Sequence, residues 1–406
     1  MKHLISVSAL ILSAAACSSD PGTNGGSSGA SNTTAGAPGS AGTPSGSAGS
    51  GVAGSPAAGS GGGGTTAGSG NTAGSAPTAG TSSGGTSSGG TSSGGTSAAG
   101  APPTGGAASF KCDNLSLAPT ATGVAKPAGA AGGLKVLDWA GFKGAASFTF
   151  DDNRPSQLPN YNAMKATGAH FTWFLIASSA DKNGYKATIA DGQEIANHTQ
   201  THPQNMYTQA EVTNAQTTLK TNFGVDVHSM AAPNCKDEWK PFAAPAKLFQ
   251  NRGPCGGGTV SPRGTTDPFS LPAYMPPTNA SSTDMTGQLA MGKWVIYVIH
   301  GFDLNDASTW QPVAIANVTA AMSKSVSDGY WTEGMTNVGA YWQGQKLIPA
   351  TATTSATWTL PANFPPNMCV RITTTGGTVT QKGTAIAWDP HGYYQISLDA
   401  GEVTVN

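Results

Sequence analysis

Apolar positions in this chain fall into short runs of two periods, and one long stretch has almost none. Ala146 to Phe150 is a compact apolar run that predicts a strand, and Leu158 to Thr167 follows as a helix. Ala169 to Ala177, containing His-Phe-Thr-Trp-Phe-Leu-Ile, predicts a strand buried on both faces. Glu194 to Asn197 is a short strand, Gln209 to Phe223 a helix, Lys293 to Ile299 a strand and Gln311 to Ser327 a helix. Strand and helix in alternation imply an α/β parallel architecture, with functional groups at the C-terminal ends of the strands. After residue 345 the period changes to two. Ala356–Leu360, Cys369–Thr373, Ala385–Trp388 and Tyr393–Leu398 alternate with Gly, Pro and Asp turns, which predicts a small all-β module over 345–406.

The stretch without pattern is the N-terminal quarter. Residues 1–109 hold no Trp, Tyr or Phe, and their only charged residues are Lys2 and Asp20. Such a segment cannot bury enough surface to offset its conformational entropy. Residues 18–109, rich in Gly, Ser, Ala, Thr and Pro, therefore read as a long disordered linker with a reach on the order of 50 Å. The glycine run Gly61–Gly64 is not a phosphate loop, because no Lys-Ser/Thr follows it and no strand precedes it. The rest of the chain up to the β module, 110–344, is long enough for one large domain.

Formal net charge is −1, which gives no electrostatic reason to expect nucleic acid as a partner. Leu4 to Leu12 is apolar but too short to span a bilayer, and Ser13-Ala-Ala-Ala-Cys17 follows it. Residues 1–17 resemble a bacterial lipoprotein signal, which implies lipidation at Cys17 and contact with a membrane only through that anchor. Ala14 stands where an aliphatic residue is usual, and ordinary secretion is the alternative. Either route exports the chain, to the outer membrane or cell surface in the first case. The other four cysteines are an even set in an oxidising compartment. Cys235 and Cys255 both sit in Pro/Gly-rich loop sequence and are expected to pair, which leaves Cys112 with Cys369; spacing alone does not fix this connectivity.

The chemistry-bearing residues end the predicted strands. Asp151-Asp152 ends Ala-Ala-Ser-Phe-Thr-Phe, His198-Thr-Gln-Thr-His202 follows Glu-Ile-Ala-Asn, and His300 follows Trp-Val-Ile-Tyr-Val-Ile. Carboxylate oxygen with imidazole nitrogen suits one divalent metal, Zn²⁺ first, with Co²⁺, Ni²⁺ or Fe²⁺ compatible. Three protein ligands leave room for water and substrate, as a catalytic site requires. Taken singly, an Asp-Asp pair is usually a solvated turn and a histidine after a strand is usually a core residue; it is their common placement that points to a site. His170, His228 and His391 are read as non-functional, and Trp173 and Trp294 as core.

These motifs resemble those of the NodB-homology polysaccharide deacetylases, carbohydrate esterase family four. Ser147–Asp152 is similar to the first motif, Gly192–Pro203 to the second and Trp294–Gly301 to the fifth, over roughly 135–344. The resemblance implies a distorted (β/α) barrel with fewer than eight regular strands. It implies Asp151 as general base, Asp152, His198 and His202 as metal ligands, and His300 as general acid. A backbone N–H at Asn234, in Ala232-Pro-Asn234, would add to oxyanion stabilisation. It implies removal of acetyl groups, N- or O-linked, from an acetylated polysaccharide or oligosaccharide. Two departures stand out. The third motif normally carries an Arg that pairs with the base, and Ser229–Cys235 has none; Arg252 and Arg154 are the candidates to replace it. The fourth-motif Asp that orients the acid is not evident, with Asp267 and Asp303 as candidates. The alternatives are a relative cleaving another amide or ester, and a non-catalytic glycan-binding surface lipoprotein.

Overall fold

The fold is taken from a computed structural model that describes residues 111–119 and 121–406. The signal over 1–17 with Cys17, and the linker over 18–109, lie outside the described residues. Among the described residues the strands are, in order, the short β1 (Lys135–Val136), β2 (Ala145–Asp151), β3 (Thr172–Leu175), β4 (Glu194–Asn197), β5 (Ser229–Ala231), β6 (Gln250–Arg252), β7 (Trp294–Ile299) and β8 (Trp331–Thr332). From β2 to β8 these form one parallel sheet in the order β6-β5-β4-β3-β2-β7. β8 pairs with the first residues of β2, and β3 with its last.

The segment 271–274 closes the sheet on itself. Leu271 bridges to Arg252 at the end of β6, and Tyr274 bridges to Tyr297 in β7. Backbone hydrogen bonds from Leu271 to Asn251 (3.0 Å) and from Tyr274 to Ile296 (2.8 Å) stitch the two edges together. The result is the distorted (β/α) barrel of the polysaccharide deacetylase type that the motifs imply, with one wall made of irregular chain.

Period-two alternation sorts the strand residues between two cores. Ala146, Phe148 and Phe150 of β2, Trp173 and Leu175 of β3, and Val295, Tyr297 and Ile299 of β7 share one cluster with residues such as Val212 and Leu219. Phe174, Trp294, Ile296 and Val298 belong to the other. Of the remaining β2 residues, Ala145 belongs to that second core, and Ser147, Thr149 and Asp151 are polar yet fully or almost fully buried. They lie on the same side as Phe174 and the buried Arg252, so the Asp151 carboxylate projects from the polar inner stripe of a strand whose other face is core.

Helices connect the strands: α1 (Tyr161–Lys165), α2 (Lys182–Ile189), α3 (Gln209–Phe223), α4 (Lys240–Ala243), α5 (Ser282–Thr286), α6 (Ile315–Ser327) and α7 (Met335–Leu347). α3 has the limits its periodicity predicts. Thr208 caps its first turn by accepting from the Glu211 N–H, Gly224 ends it at φ 74°, and Val212, Ala215, Leu219 and Phe223 form its buried stripe. The helix expected over 158–167 is shorter, because Pro159 starts a 3-10 turn and only Tyr161–Lys165 is α-helical. That expected over 311–327 begins four residues later, since Gln311 has φ 45° and Pro312 follows it. The strand expected over 169–177 contracts to Thr172–Leu175.

The C-terminal region adds β9 (Ser355–Thr357), β10 (Cys369–Thr373), β11 (Val379–Gln381), β12 (Thr384–Ala385), β13 (Trp388–Asp389), β14 (Tyr393–Ser397) and β15 (Glu402–Val405). They build two four-stranded antiparallel sheets, ordered β1-β10-β14-β13 and β12-β11-β15-β9. β1 is a member, so the sheets of the module expected over 345–406 also take in a strand that precedes the barrel in sequence. Both expected disulfides are present, Cys112–Cys369 and Cys235–Cys255. The first ties the segment ahead of β1 to the start of β10. Val370, Ile372, Ile396 and Val403 share one core with Trp294, Trp331 and Trp342 of the barrel. The module is thus continuous with the barrel, and none of its aromatics is among the exposed large hydrophobics.

Candidate metal centre and active site

Four strand ends meet at the C-terminal mouth of the barrel: Asp151 closes β2, His198 follows β4, Arg252 closes β6 and His300 follows β7. They line a cavity of about 750 Å³ together with Asp152, His202, Asn234 and Trp310.

The carboxylate and imidazole atoms of Asp152, His198 and His202 lie within 4.8 Å of one another, a group able to hold a metal ion. Asp152 Oδ1 is 3.3 Å from His198 Nε2 and 3.4 Å from His202 Nε2. That oxygen is buried and has no hydrogen-bond partner among the described residues. A buried carboxylate oxygen without a donor is costly unless a cation meets it. His198 Nδ1 lies 2.9 Å from the Ala231 carbonyl, an acceptor that demands the proton on Nδ1 and leaves the Nε2 lone pair facing Asp152. The residues present therefore fit a divalent cation.

Local backbone explains how two histidines four residues apart converge. Thr199 and His202 both have positive φ, 65° and 56°. Asn197 Oδ1 accepts from the Thr199 N–H (2.7 Å), and Thr199 Oγ1 accepts from the His202 N–H (3.1 Å). Glu211 at the start of α3 accepts from the backbone and hydroxyl of Thr201 (2.8 and 2.9 Å). The result is a wound loop that brings the two imidazole centroids to 4.8 Å.

Asp151 is paired differently. Arg252 Nη1 donates to Oδ1 at 3.1 Å and Nη2 to Oδ2 at 2.5 Å, with both side chains 1–2% exposed. Arg252 also donates to Thr149 Oγ1 (2.8 Å) and lies 5.1 Å from the centre of the Phe174 ring. Burial pushes the Asp151 pKa up, but Arg252, then His198 and His300, outweigh it and hold the carboxyl below its usual range. Burial likewise opposes Asp152, where the imidazoles prevail and the pKa is lowered. For His300 burial is the largest influence and, with Arg252 and His198, lowers its pKa against the pull of both aspartates. Gln157 Nε2 donates to the carbonyls of Asp151 (2.6 Å) and His300 (2.7 Å), tying the two strand ends together.

Arg252 therefore stands where the third motif lacks its Arg, reaching Asp151 from the next strand. Arg154 is bound to Asp152 Oδ2 at 2.8 Å. Asp267 pairs with Lys240, and Asp303 accepts from the Asn305 N–H, so neither orients His300. The buried Nδ1 of His300 has no partner among the described residues. Asn234, at φ 55°, is exposed and lines the cavity beside the disulfide partners Cys235 and Cys255. His170 bonds to Glu333 (2.9 Å), and His391 has a partner that sequence did not suggest, Asp389 (2.6 Å). His228 lines a different surface cleft. Gln157 and Trp310 carried no motif; the only sequence signal for Trp310 is a Trp amid polar residues shortly after His300.

Similarity to known proteins converges on the same region. Residues 141–240 match the family model described as polysaccharide deacetylase. A gellan lyase from a Bacillus species is 33% identical over 111 residues, 25% of this chain but 4% of that much longer protein. A family 4 carbohydrate esterase from Streptomyces lividans, solved with acetate, is 18% identical over 48% of this chain and 94% of its own, with a TM-score of 0.35. A family 4 pseudoenzyme from Bacillus anthracis is 15% identical over 49% of this chain and 66% of its own, also at 0.35. Structural similarity of that order bears on neither activity nor substrate. With Asp151, Asp152, His198 and His202 all inside the matched stretch, residues 141–240 form a domain of the polysaccharide deacetylase family.

Proposed function

We propose that this chain is a metal-dependent hydrolase that removes N- or O-linked acetyl groups from an acetylated polysaccharide. The observation that carries the reading is the convergence on one cavity of a three-residue metal-binding group, an ion-paired buried Asp151 and His300. Asp152, His198 and His202 would hold the cation, Zn²⁺ being the first expectation for one carboxylate and two imidazoles. Bound there, a divalent metal supplies Lewis acidity toward an acyl oxygen and makes water acidic near neutral pH.

Asp151 is the proton acceptor in this scheme. Its lowered pKa favours the carboxylate at neutral pH, and its Oδ2 lies 3.7 Å from His198 Nε2, facing the metal group. Arg252 fixes the carboxylate in place, so that its reacting oxygen cannot rotate away. His300, neutral at neutral pH because burial lowers its pKa, must gain a proton before it delivers one to the departing amine or alcohol. Asn234 contributes a backbone N–H at the cavity wall to the developing oxyanion. The two disulfides are consistent with export, and lipidation at Cys17 is part of the proposal.

A second reading has one specific observation in its favour. An acid histidine is normally oriented through its second nitrogen, and the Nδ1 of His300 has no partner among the described residues, as in a glycan-binding protein that retains the metal group as structure. Acetate release by the full chain from acetylated xylan and chitooligosaccharides, with and without Zn²⁺, separates the two. Metal-dependent release that Asp151→Asn abolishes is the expected outcome. Polymer binding without release, unchanged by Asp151→Asn, would sink the hydrolase reading.

A further inference from the structure

The two adjacent carboxylates each have an arginine, and the two pairings differ in kind. Arg252 engages both oxygens of Asp151. Arg154 engages one oxygen of Asp152, Nη2 donating to Oδ2 at 2.8 Å, and leaves Oδ1 buried, bare and directed at the two imidazoles. We infer that Arg154 is a positioning residue for the metal centre: it occupies Oδ2 so that Asp152 offers a single oxygen, and its charge weakens that oxygen as a donor. The inference rests on the metal site proposed above.

The turn after β2 is built to hold this arrangement. Asp152 and Asn153 take positive φ, 73° and 53°, which folds Arg154 back over Asp152. Asn153 pins the turn from its other side, donating to the Ile176 carbonyl (2.8 Å) and accepting from the Ile176 N–H (3.1 Å). The Arg154 carbonyl accepts from the Gln157 N–H (3.0 Å), and the Gln157 side chain spans the ends of β2 and β7. Among the described residues Asp152 is the sole hydrogen-bond partner of the Arg154 guanidinium, whose Nε is buried and unpaired. Apart from a charge interaction with Asp306, the hydrogen bonding of the guanidinium is thus directed at a ligand atom's neighbour.

A fixed positive charge bonded to a ligand carboxylate opposes an incoming dication electrostatically, and it denies the cation a second oxygen. Both effects trade affinity for a more electron-poor metal. Removing the arginine should therefore tighten metal binding, whereas loss of an ordinary supporting residue weakens it.

Co²⁺ is the probe, titrated into the metal-free full chain by visible absorption and by competition with a chelating dye. Arg154→Ala is expected to bind Co²⁺ on the order of tenfold more tightly. Its absorption bands should weaken as Oδ2 joins the coordination sphere. Arg154→Lys should restore the parent spectrum. Arg154→Gln, which keeps a donor but not the charge, should also bind more tightly, and it serves if the alanine variant does not fold. Equal or weaker Co²⁺ binding by folded variants with an unchanged spectrum overturns the inference and leaves the metal site standing. Failure of the parent chain to bind Co²⁺, or binding undiminished in Asp152→Asn, overturns the metal site and this inference with it.

Discussion

Replacing Arg252 by Gln tests the core of the site through stability as well as activity. The guanidinium and the Asp151 carboxylate are 1% and 2% exposed, so the substitution leaves a carboxylate buried without its cation. Stranding one member of such a pair costs about 3–5 kcal/mol. The pH dependence has a definite sign. In the parent, Asp151 has a pKa below its ordinary value, so its contribution to stability is present above about pH 4 and is lost as pH falls through the folded pKa. Without Arg252, burial, the largest influence on Asp151, is opposed only by His198 and His300, and the pKa rises. The stability gap between parent and variant should therefore be widest near neutral pH and shrink as pH falls through the variant's raised Asp151 pKa toward the parent's lowered one. Urea unfolding of metal-free protein at pH 7 and pH 4 measures both points. A double-mutant cycle with Asp151→Asn isolates the pair, and the double variant should recover at least about 1 kcal/mol relative to the sum of the singles. In turnover, the acid limb of the pH profile should move to higher pH. A single-variant cost below about 1 kcal/mol with no coupling would refute the claim that this pair is the buried electrostatic anchor of the site.

Other perturbations probe separate parts of the molecule. Trp310, 64% exposed on the loop after β7, lines the cavity and offers a flat apolar surface to a sugar ring. Trp310→Ala should raise KM for acetylated polymer about two- to tenfold while leaving turnover of a small aryl acetate unchanged. His300→Gln should lower kcat by roughly 10²–10⁴-fold with little change in Co²⁺ affinity; unchanged kcat would remove it from proton transfer. Replacing Cys112 and Cys369 by Ala opens a cross-link of sequence separation 257 and should cost about 2–5 kcal/mol in urea unfolding. The Asp152, His198 and His202 group belongs to other elements, so Co²⁺ binding at ambient temperature should persist in that variant.

The boundary between legible and hidden features of this chain is a physical one. Asp151, His198 and His300 were legible because each sits at or just past the end of an apolar run, where strand periodicity itself delivers a side chain to the mouth of a parallel barrel. α3 was legible to the residue because Thr208 and Gly224 cap a regular stripe. β5 and β6 were not. Ser229–Ala231 and Gln250–Arg252 are three residues each, and Gln250 and Arg252 are polar, so no apolar run marks them. Their inward face is polar because it is occupied by a network: Gln250 Nε2 donates to Ser229 Oγ (2.8 Å) and to the Met335 carbonyl (2.7 Å), and Arg252 donates to Asp151. Arg252 was legible as a candidate for the arginine that the third motif lacks, but nothing in the sequence chose it over Arg154. It lies 101 positions from Asp151 in sequence, and only the closure of the sheet brings the two together. A strand whose inner face is polar hides itself from hydrophobic patterning because its side chains are spent on the site. In this barrel β6 is such a strand: it supplies the arginine that holds Asp151 at the mouth.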